Sequence, residues 1–293
     1  MRSPRVLMPG TTRSNTTGAE MGWLKGLWSR AGGGRSDRNR RGPDFSAEPR
    51  SIGADLGWDL HSHIVPGVDD GAADLVASLA MLNGLRDLGY RGAILTPHVY
   101  ADLYPNTPAS LAAPFAALQA ATTAWDPSFR LHLAAEYLLD EHFARLLAAG
   151  DVLTFPATSP QGEPLRCVLV EFGFIEAPIQ AREVFFEAQM QGLTPVLAHV
   201  ERYPYYYRDL AAIEALADRG VVLTVNAASL AGAYGPEAYR VAAHLLDRGL
   251  CGTICSDAHA MRHIESLAAI QRSPVVHRAL DRGTALRFAT SPS

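Results

Sequence analysis

The stretch DLHSHIVPGVDDG, residues 59–71, places two histidines, separated by one residue, at the end of a short strand predicted over residues 58–61. Side chains alternate along an extended chain, so His61 and His63 leave this end on the same side. The spacing therefore predicts that both imidazoles can bind one metal ion.

The turn-forming residues after this pair bring carboxylates back toward it. Pro66-Gly67 and Gly71 interrupt the extended chain, so that Asp69 or Asp70 can lie beside the histidines. An isolated H-x-H pair is weak evidence for a metal site. The two aspartates and the motifs further along the chain make the prediction specific.

The composition is typical of one large globular domain. The chain has 293 residues, of which 48% are hydrophobic, and no apolar run approaches the ~18 residues that a membrane-spanning helix needs. The three cysteines, Cys167, Cys251 and Cys255, form neither C-x-x-C nor the C-x₅-R of a cysteine-dependent phosphatase. This pattern suggests neither a disulfide framework nor a cysteine zinc site, and it favours a reducing cytoplasm.

Charge divides the chain into two parts. Residues 1–54 carry ten basic and four acidic side chains, a net charge of +6, which leaves −10 on residues 55–293. Their Gly, Ser, Arg and Asn content predicts a disordered basic tail, within which residues 21–30 are an amphipathic patch that could contact a membrane surface or a partner. Met21 is an alternative start. The acidic remainder, predicted to be a single domain, argues against nucleic-acid binding.

Strands alternate with helices from residue 58 onward. The predicted strands are 58–61, 92–96, 131–135, 167–172, 195–199, 221–226 and 252–256. The predicted helices are 73–88, 108–124, 140–149, 178–191, 208–219, 235–248 and 262–270. This order predicts an α/β fold whose parallel sheet closes into an irregular barrel of the (β/α)₈ type, one unit short. An open doubly wound sheet is the alternative.

Histidines and carboxylates follow six of the seven predicted strands. They are His61, His63, His98, Glu136, Glu171, His199, Asp257 and His259. The carboxyl ends of a parallel barrel share one face, where active sites are built. With an aspartate of the first loop, these nitrogen and oxygen ligands suit Mn²⁺, Fe²⁺ or Zn²⁺, and they are too many for one ion. Arg202 follows His199 by three residues and could bind two phosphate oxygens, or form a salt bridge with Glu201 or another acid.

These motifs resemble the polymerase and histidinol phosphatase (PHP) superfamily, and within it the metal-dependent protein-tyrosine phosphatases of bacterial capsule and exopolysaccharide export. The matching stretches, in chain order, are DLHSHIVPGVDDG (59–71), ILTPH (94–98), AAE (134–136), LVEF (169–172), LAHVERY (197–203), VNAASLAG (225–232) and SDAH (256–259). They span most of the acidic domain, residues 55–293.

The resemblance implies a distorted (β/α)₇ barrel, the PHP fold, with three divalent ions, most often Mn²⁺. By position, the first ion would be held by His61, His63, Glu136 and Asp257. Glu136 would bridge to a second ion, held also by Glu171 and His199. The third would be held by Asp70, His98 and His259. Asp69 then has a supporting role.

Two positions depart from the family pattern. An arginine commonly lies a few residues after the S-D-x-H motif, and Arg262 follows His259 at a shorter spacing. It is a second candidate for phosphate contact. His98 is often followed by another histidine, and Val99 stands there instead. We expect this change to affect substrate contacts more than metal binding.

The predicted activity is hydrolysis of phosphotyrosine in proteins by water that the metals activate, in the regulation of capsular or exopolysaccharide biosynthesis. The expected partner is a phosphotyrosine protein, such as a bacterial tyrosine autokinase of polysaccharide export. A small-molecule phosphatase resembling histidinol phosphatase and a non-catalytic, metal-stabilised scaffold are the alternatives. The general acid is left unassigned, because an imidazole that binds a metal is a poor proton donor.

Overall fold

The computed structural model describes residues 42–283 and 286–288. Its strands are β1 Trp58–Asp59, β2 Gly92–Leu95, β3 His98–Val99, β4 Arg130–Leu133, β5 Glu136–Leu138, β6 Phe155–Thr158, β7 Pro164–Glu171, β8 Thr194–Leu197, β9 Val222–Asn226, β10 Cys251–Cys255 and β11 Arg287–Phe288. Its α-helices are α1 Ile52–Leu56, α2 Leu75–Asp87, α3 Pro108–Trp125, α4 Glu141–Ala149, α5 Ala181–Met190, α6 Leu210–Ala217, α7 Ala227–Leu230, α8 Gly235–Arg248, α9 Met261–Ile270 and α10 Pro274–Asp281.

The barrel has seven parallel staves, each formed by one strand or by two strands that continue one another. Two of them are interrupted, since β2 continues into β3 across Thr96-Pro97 and β4 continues into β5 across Ala134-Ala135. The order around the barrel is β1, β2/β3, β4/β5, β7, β8, β9 and β10, with every neighbouring pair in this series parallel.

The ring closes between the first and last staves. Ser62 and Ala258 form a parallel bridge. His63 N donates to the carbonyl of Ala258, and Asp257 N donates to the carbonyl of His61, both at 3.0 Å. These bonds exclude the open doubly wound sheet and confirm the predicted distorted (β/α)₇ barrel. All seven predicted strands are present.

Sequence reasoning missed a small antiparallel addition to the barrel. β6 pairs with β7, and β11 pairs with β6. The four residues of β6, Phe-Pro-Ala-Thr, include a proline, which weakens a strand prediction. Phe288 of β11 stacks on Trp58 with ring centroids 4.0 Å apart, which helps to close the amino-terminal end of the barrel.

The barrel interior is apolar below and polar above. On β7, Val168 and Val170 belong to the core between staves and helices, whereas Cys167 and Leu169 belong to a separate inner cluster. Alternation places Glu171 on the same inner face, one step above Leu169. The Glu171 carboxylate therefore lies at the carboxyl-end rim, directly above the apolar cluster inside the barrel.

The last residues of the predicted tail pack on the barrel. Ile52 and Leu56 of α1 are buried in the core, and the Ser51 side chain caps this helix by accepting from Ala54 N. Arg50 forms ion pairs with Asp55 and with Asp281 of α10. The folded body thus begins before residue 55, because these side chains have apolar and ionic partners elsewhere in the chain. Residues 1–41, with the amphipathic patch 21–30, lie outside the described residues.

Two truncated variants should show which part of the predicted tail contributes to stability. A variant beginning at residue 42 is expected to unfold at the same denaturant concentration as the full chain. In a variant beginning at residue 58 the free energy of unfolding should fall by about 3–6 kcal/mol, because burial of Ile52 and Leu56 contributes about 1.5–3 kcal/mol each. Urea unfolding followed by circular dichroism measures both. Equal stability of the two truncated proteins would contradict this role of α1.

Candidate metal centre

The structure brings all nine predicted ligands to the carboxyl-end rim of the barrel. Seven are buried, whereas His259 is partly exposed and Asp70 is exposed. Seven of the nine, all except His199 and Asp257, form three groups in which the ligand atoms lie within 4.8 Å of one another. The groups are His63, Asp70, His98 and His259; His61, His63 and Glu136; and His98, Glu136 and Glu171.

Glu136, the first residue of β5, lies at the centre of this cluster. Its Oε2 is 3.3 Å from His61 Nε2, 3.2 Å from His63 Nε2 and 3.2 Å from His98 Nε2. Its Oε1 is 3.1 Å from His199 Nε2. One carboxylate therefore meets four imidazoles with its two oxygens, as a group that bridges two ions would.

Asp257, like Glu136, lies beside both His61 and His63. Its Oδ1 lies 3.4 Å from His61 Nε2 and 3.5 Å from His63 Nε2. Asp257 has φ 48° and His199 has φ 32°, in the left-handed region that non-glycine residues rarely adopt. Within the described ranges no other non-glycine residue does so. Such strain concentrates at functional sites, where surrounding contacts hold it.

The outer group is the most accessible to solvent. Asp70 Oδ1 is 3.2 Å from His98 Nδ1 and 3.5 Å from His259 Nε2. The predicted turn brings this aspartate back, because Ala72 N donates to the carbonyl of His63 at 2.9 Å. A Cβ added at Gly71 would lie 2.0 Å from that carbonyl oxygen, so only glycine fits this close approach.

Asp69 orients the ligands, in keeping with its expected supporting role. Its Oδ2 accepts from His63 Nδ1 at 2.8 Å and from His98 N at 3.0 Å. Burial acts to raise the pKa of Asp69, but these hydrogen bonds dominate and hold the pKa well below its usual range. The carboxylate thereby leaves the Nε2 lone pair of His63 pointing into the cluster.

The donor set fits divalent cations. Glu136 Oε2 and Asp257 Oδ1 are buried and accept no hydrogen bond of normal geometry from the described residues. An unpaired buried carboxylate is costly, and a cation would remove the cost. Two ligands at ~2.1 Å from one ion lie roughly 3.0–3.4 Å apart, close to the separations found here.

The charge balance of the cluster supports the same conclusion. Burial acts to lower the pKa of His63, but the hydrogen bond to Asp69 and the nearby Glu136 carboxylate outweigh it and raise the pKa to about 9. Protons are thus drawn to the imidazoles by the surrounding carboxylates. A divalent ion supplies the same positive charge while binding to the neutral imidazole.

Asp59 is a supporting residue that sequence reasoning did not identify. It is fully buried and accepts from both the backbone N and the Oγ of Ser256. Burial raises the pKa of its carboxyl to about 6, against the effect of these hydrogen bonds. The contact ties β1 to the S-D-x-H segment. The D of the DLHSH motif was its only signal in the sequence.

Asn226, Glu201 and Tyr100 also support the ligands and were missed. Asn226 Nδ2 donates to Asp257 Oδ2 at 2.7 Å, and its backbone N donates to Glu201 Oε1 at 3.0 Å. The Tyr100 hydroxyl donates to Glu171. The VNAAS motif pointed to Asn226 without indicating its partner.

Arg202 lies beside the cluster, at the end of a 3₁₀ turn, Val200–Arg202. Its Nη1 donates to Asp257 Oδ2 at 3.1 Å. Of the predicted salt bridges, the one with Glu201 does not form, because Glu201 is fully buried and accepts from Asn226 N and Ser229 Oγ. The one with another acid does form, and that acid is Asp257. The charged arginine therefore faces the metal cluster.

Arg262 is exposed in the first turn of α9. No ion pair joins its guanidinium to any residue of the described ranges. The contact of Arg262 with a phosphate thus stays a prediction.

No helix in the described part of the chain has the length and hydropathy that are needed to cross a membrane.

A seven-stave parallel barrel whose carboxyl rim gathers imidazoles and carboxylates defines a metal-binding protein of the PHP type. The chain belongs to the family described as capsular polysaccharide synthesis, CpsB/CapC, whose model matches residues 57–280.

Named relatives share most of this domain. The chain is 28% identical over 204 residues to tyrosine-protein phosphatase YwqE of Bacillus subtilis, covering 70% of this chain and 78% of the relative. It is 27% identical over 208 residues to tyrosine-protein phosphatase CpsB of Streptococcus pneumoniae, covering 69% and 82%. A putative tyrosine-protein phosphatase, CapC of Staphylococcus aureus, is 23% identical over 203 residues, covering 69% and 77%.

A solved structure matches the fold. It comes from crystal structures of YwqE from Bacillus subtilis and CpsB from Streptococcus pneumoniae, described as metal-dependent tyrosine phosphatases. The match has a TM-score of 0.64 at 26% identity and covers 73% of this chain and 85% of the solved chain.

Proposed function

We propose that this protein is a metal-dependent protein-tyrosine phosphatase. The observation that carries the proposal is the cluster around Glu136, in which two buried carboxylate oxygens accept no hydrogen bond from the described residues while Arg202 lies beside them. The names of the relatives support phosphotyrosine as the substrate and a metal requirement.

The cluster supports three divalent ions. The group of His61, His63 and Glu136, completed by Asp257, would hold the first ion. Glu136 and Glu171, with His199, would hold the second. Asp70, His98 and His259 would hold the third. Mixed imidazole and carboxylate ligands favour Mn²⁺, with Fe²⁺ or Zn²⁺ as alternatives. Bound divalent ions supply Lewis-acid charge and lower the pKa of water.

The chain's own residues would position the phosphate. Arg202 presents a planar guanidinium whose single hydrogen-bond acceptor within residues 42–283 and 286–288 is Asp257. Its remaining N–H groups can bind phosphate oxygens in the bidentate geometry that arginine favours. Asp257 holds the guanidinium in register with His61 and His63, so one carboxylate links phosphate binding to the metal cluster.

The family description supports a cellular role in capsular polysaccharide synthesis. We expect a phosphotyrosine protein of polysaccharide export as partner, with a tyrosine autokinase as the specific candidate, and regulation of capsular or exopolysaccharide biosynthesis as the outcome. Three buried free cysteines support a reducing cytoplasm. The basic tail predicted over residues 1–54 would end before Arg50, where the chain packs on the barrel. Residues 21–30 stay our candidate for its membrane or partner contact.

Hydrolysis of a phosphotyrosine peptide and of histidinol phosphate, compared side by side, tests the function. We expect the peptide to be the better substrate, EDTA to abolish hydrolysis, and Mn²⁺ to restore it better than Mg²⁺, which is poorly matched to imidazole. Phosphate release is the readout.

Three other outcomes would redirect the proposal. A preference for histidinol phosphate would indicate the small-molecule phosphatase. Metal binding without hydrolysis of either substrate would indicate a scaffold. Full activity after complete metal removal would exclude the metal-dependent reaction.

A further inference from the structure

Two aromatic rings lie against the Arg202 guanidinium. Its Cζ lies 4.3 Å from the centroid of the Tyr234 ring and 5.1 Å from that of the Phe174 ring. The Arg202 side chain is 24% exposed, so this cation is largely withdrawn from water. Cation–π attraction is strongest under such conditions.

The side chain of Arg202 is long and has many rotamers, and one hydrogen bond to Asp257 does not define the plane of its guanidinium. A ring face does define that plane, since the guanidinium stacks upon it. Phosphate binding through two N–H groups depends on this plane being set before the substrate arrives.

Resting on the proposed function, we infer that Tyr234 is a positioning residue that sets the plane of the Arg202 guanidinium for phosphate. Tyr234 immediately precedes α8 and is partly buried. Its hydroxyl has no hydrogen-bond partner among the residues that the structure describes. Its ring is therefore the part that acts.

Phe174 is the less suitable of the two rings for this role. It is 43% exposed and lies on the loop after β7, next to the fully exposed Ile175. Tyr234 is closer to the guanidinium and is covered by its surroundings. Neither ring was identified from the sequence, because neither lies next to Arg202 in the chain.

Substitution of the ring tests this role. Tyr234→Leu keeps an apolar side chain but removes the π face, and it should lower kcat/KM for an aryl phosphate by roughly 5- to 30-fold with bound metal unchanged. Tyr234→Phe keeps the face and should retain the full rate. In an Arg202→Ala background, Tyr234→Leu should cause no further loss, since its effect passes through the arginine.

Tyr239→Leu is the matched control, because Tyr239 is a partly buried tyrosine of α8, the helix that Tyr234 precedes, and its ring has no contact with Arg202. It should leave the rate unchanged.

Calorimetric binding of inorganic phosphate to the metal-loaded protein provides a readout that needs no turnover. Tyr234→Leu should weaken phosphate binding, and Tyr234→Phe should not. This measurement distinguishes failure of the inference from failure of the proposed function. Unchanged phosphate affinity in Tyr234→Leu, equal losses in the Leu and Phe variants, or an undiminished effect without Arg202 would each overturn the inference.

Discussion

Replacing Glu136 with glutamine is expected to abolish phosphatase activity together with most metal binding. Glutamine has the same shape but removes the negative charge and one of the two oxygens that lie 3.1–3.3 Å from four imidazoles. A ligand shared by two ions affects both when it is lost. Because bound metal supplies several kcal/mol of transition-state stabilisation, kcat/KM should fall by at least about 10³-fold.

Metal content by atomic emission and hydrolysis of an aryl phosphate measure this effect together. His61→Ala and Asp257→Ala should likewise lose metal along with activity. Glu176→Gln serves as the control, since Glu176 is an exposed carboxylate on the loop after β7. If Glu136→Gln retained three ions and normal turnover, the assignment of Glu136 as a bridging ligand would be wrong.

Replacing Arg202 with alanine should lower kcat/KM by roughly 10²- to 10³-fold while metal content is retained. The guanidinium is mostly withdrawn from water and lies at the edge of the cluster, where a charge-assisted pair with phosphate is worth on the order of 2–4 kcal/mol in the transition state. Arg202→Lys should recover only part of the rate, because a point charge does not reproduce two parallel hydrogen bonds.

Arg262→Ala provides the comparison for this measurement. Arg262 is exposed in the first turn of α9, so its loss should cost less than about tenfold. Kinetics and bound metal are determined for both alanine variants. If Arg262→Ala abolished activity and Arg202→Ala had no effect, the placement of the phosphate beside the His199 loop would be wrong.

The placement of the ligands was predictable from local pattern. A continuous apolar run, residues 167–170, leads along β7 to Glu171, and the same rule of strand ends places His98 and Glu136 on the rim. The carboxyl ends of parallel strands meet at one face whichever helices connect them. Recognising strands was therefore sufficient to gather eight of the nine side chains. The turn after the first strand left Asp69 and Asp70 as alternatives for the ninth, and the family resemblance favoured Asp70.

The contacts of Arg202 were not predictable in the same way. Its neighbour Glu201 offered an ion pair by proximity in the chain, but the two side chains diverge and Glu201 is buried against Asn226 and Ser229. The actual partner, Asp257, is 55 residues away. Sequence neighbours on a 3₁₀ turn point in different directions, so adjacency does not imply contact.

The sequence by itself determined the barrel, its metal-binding rim and the residue types that line it, because strand periodicity and chain turns are local properties. Only the tertiary structure decided where the folded body begins, how Asp59 and Asn226 support the ligands, and which rings hold Arg202. These features depend on contacts between distant segments, such as Asp59 with Ser256, 197 residues apart. Such contacts form only when the first and last staves meet, and a pattern that repeats every two or four residues carries no information about them.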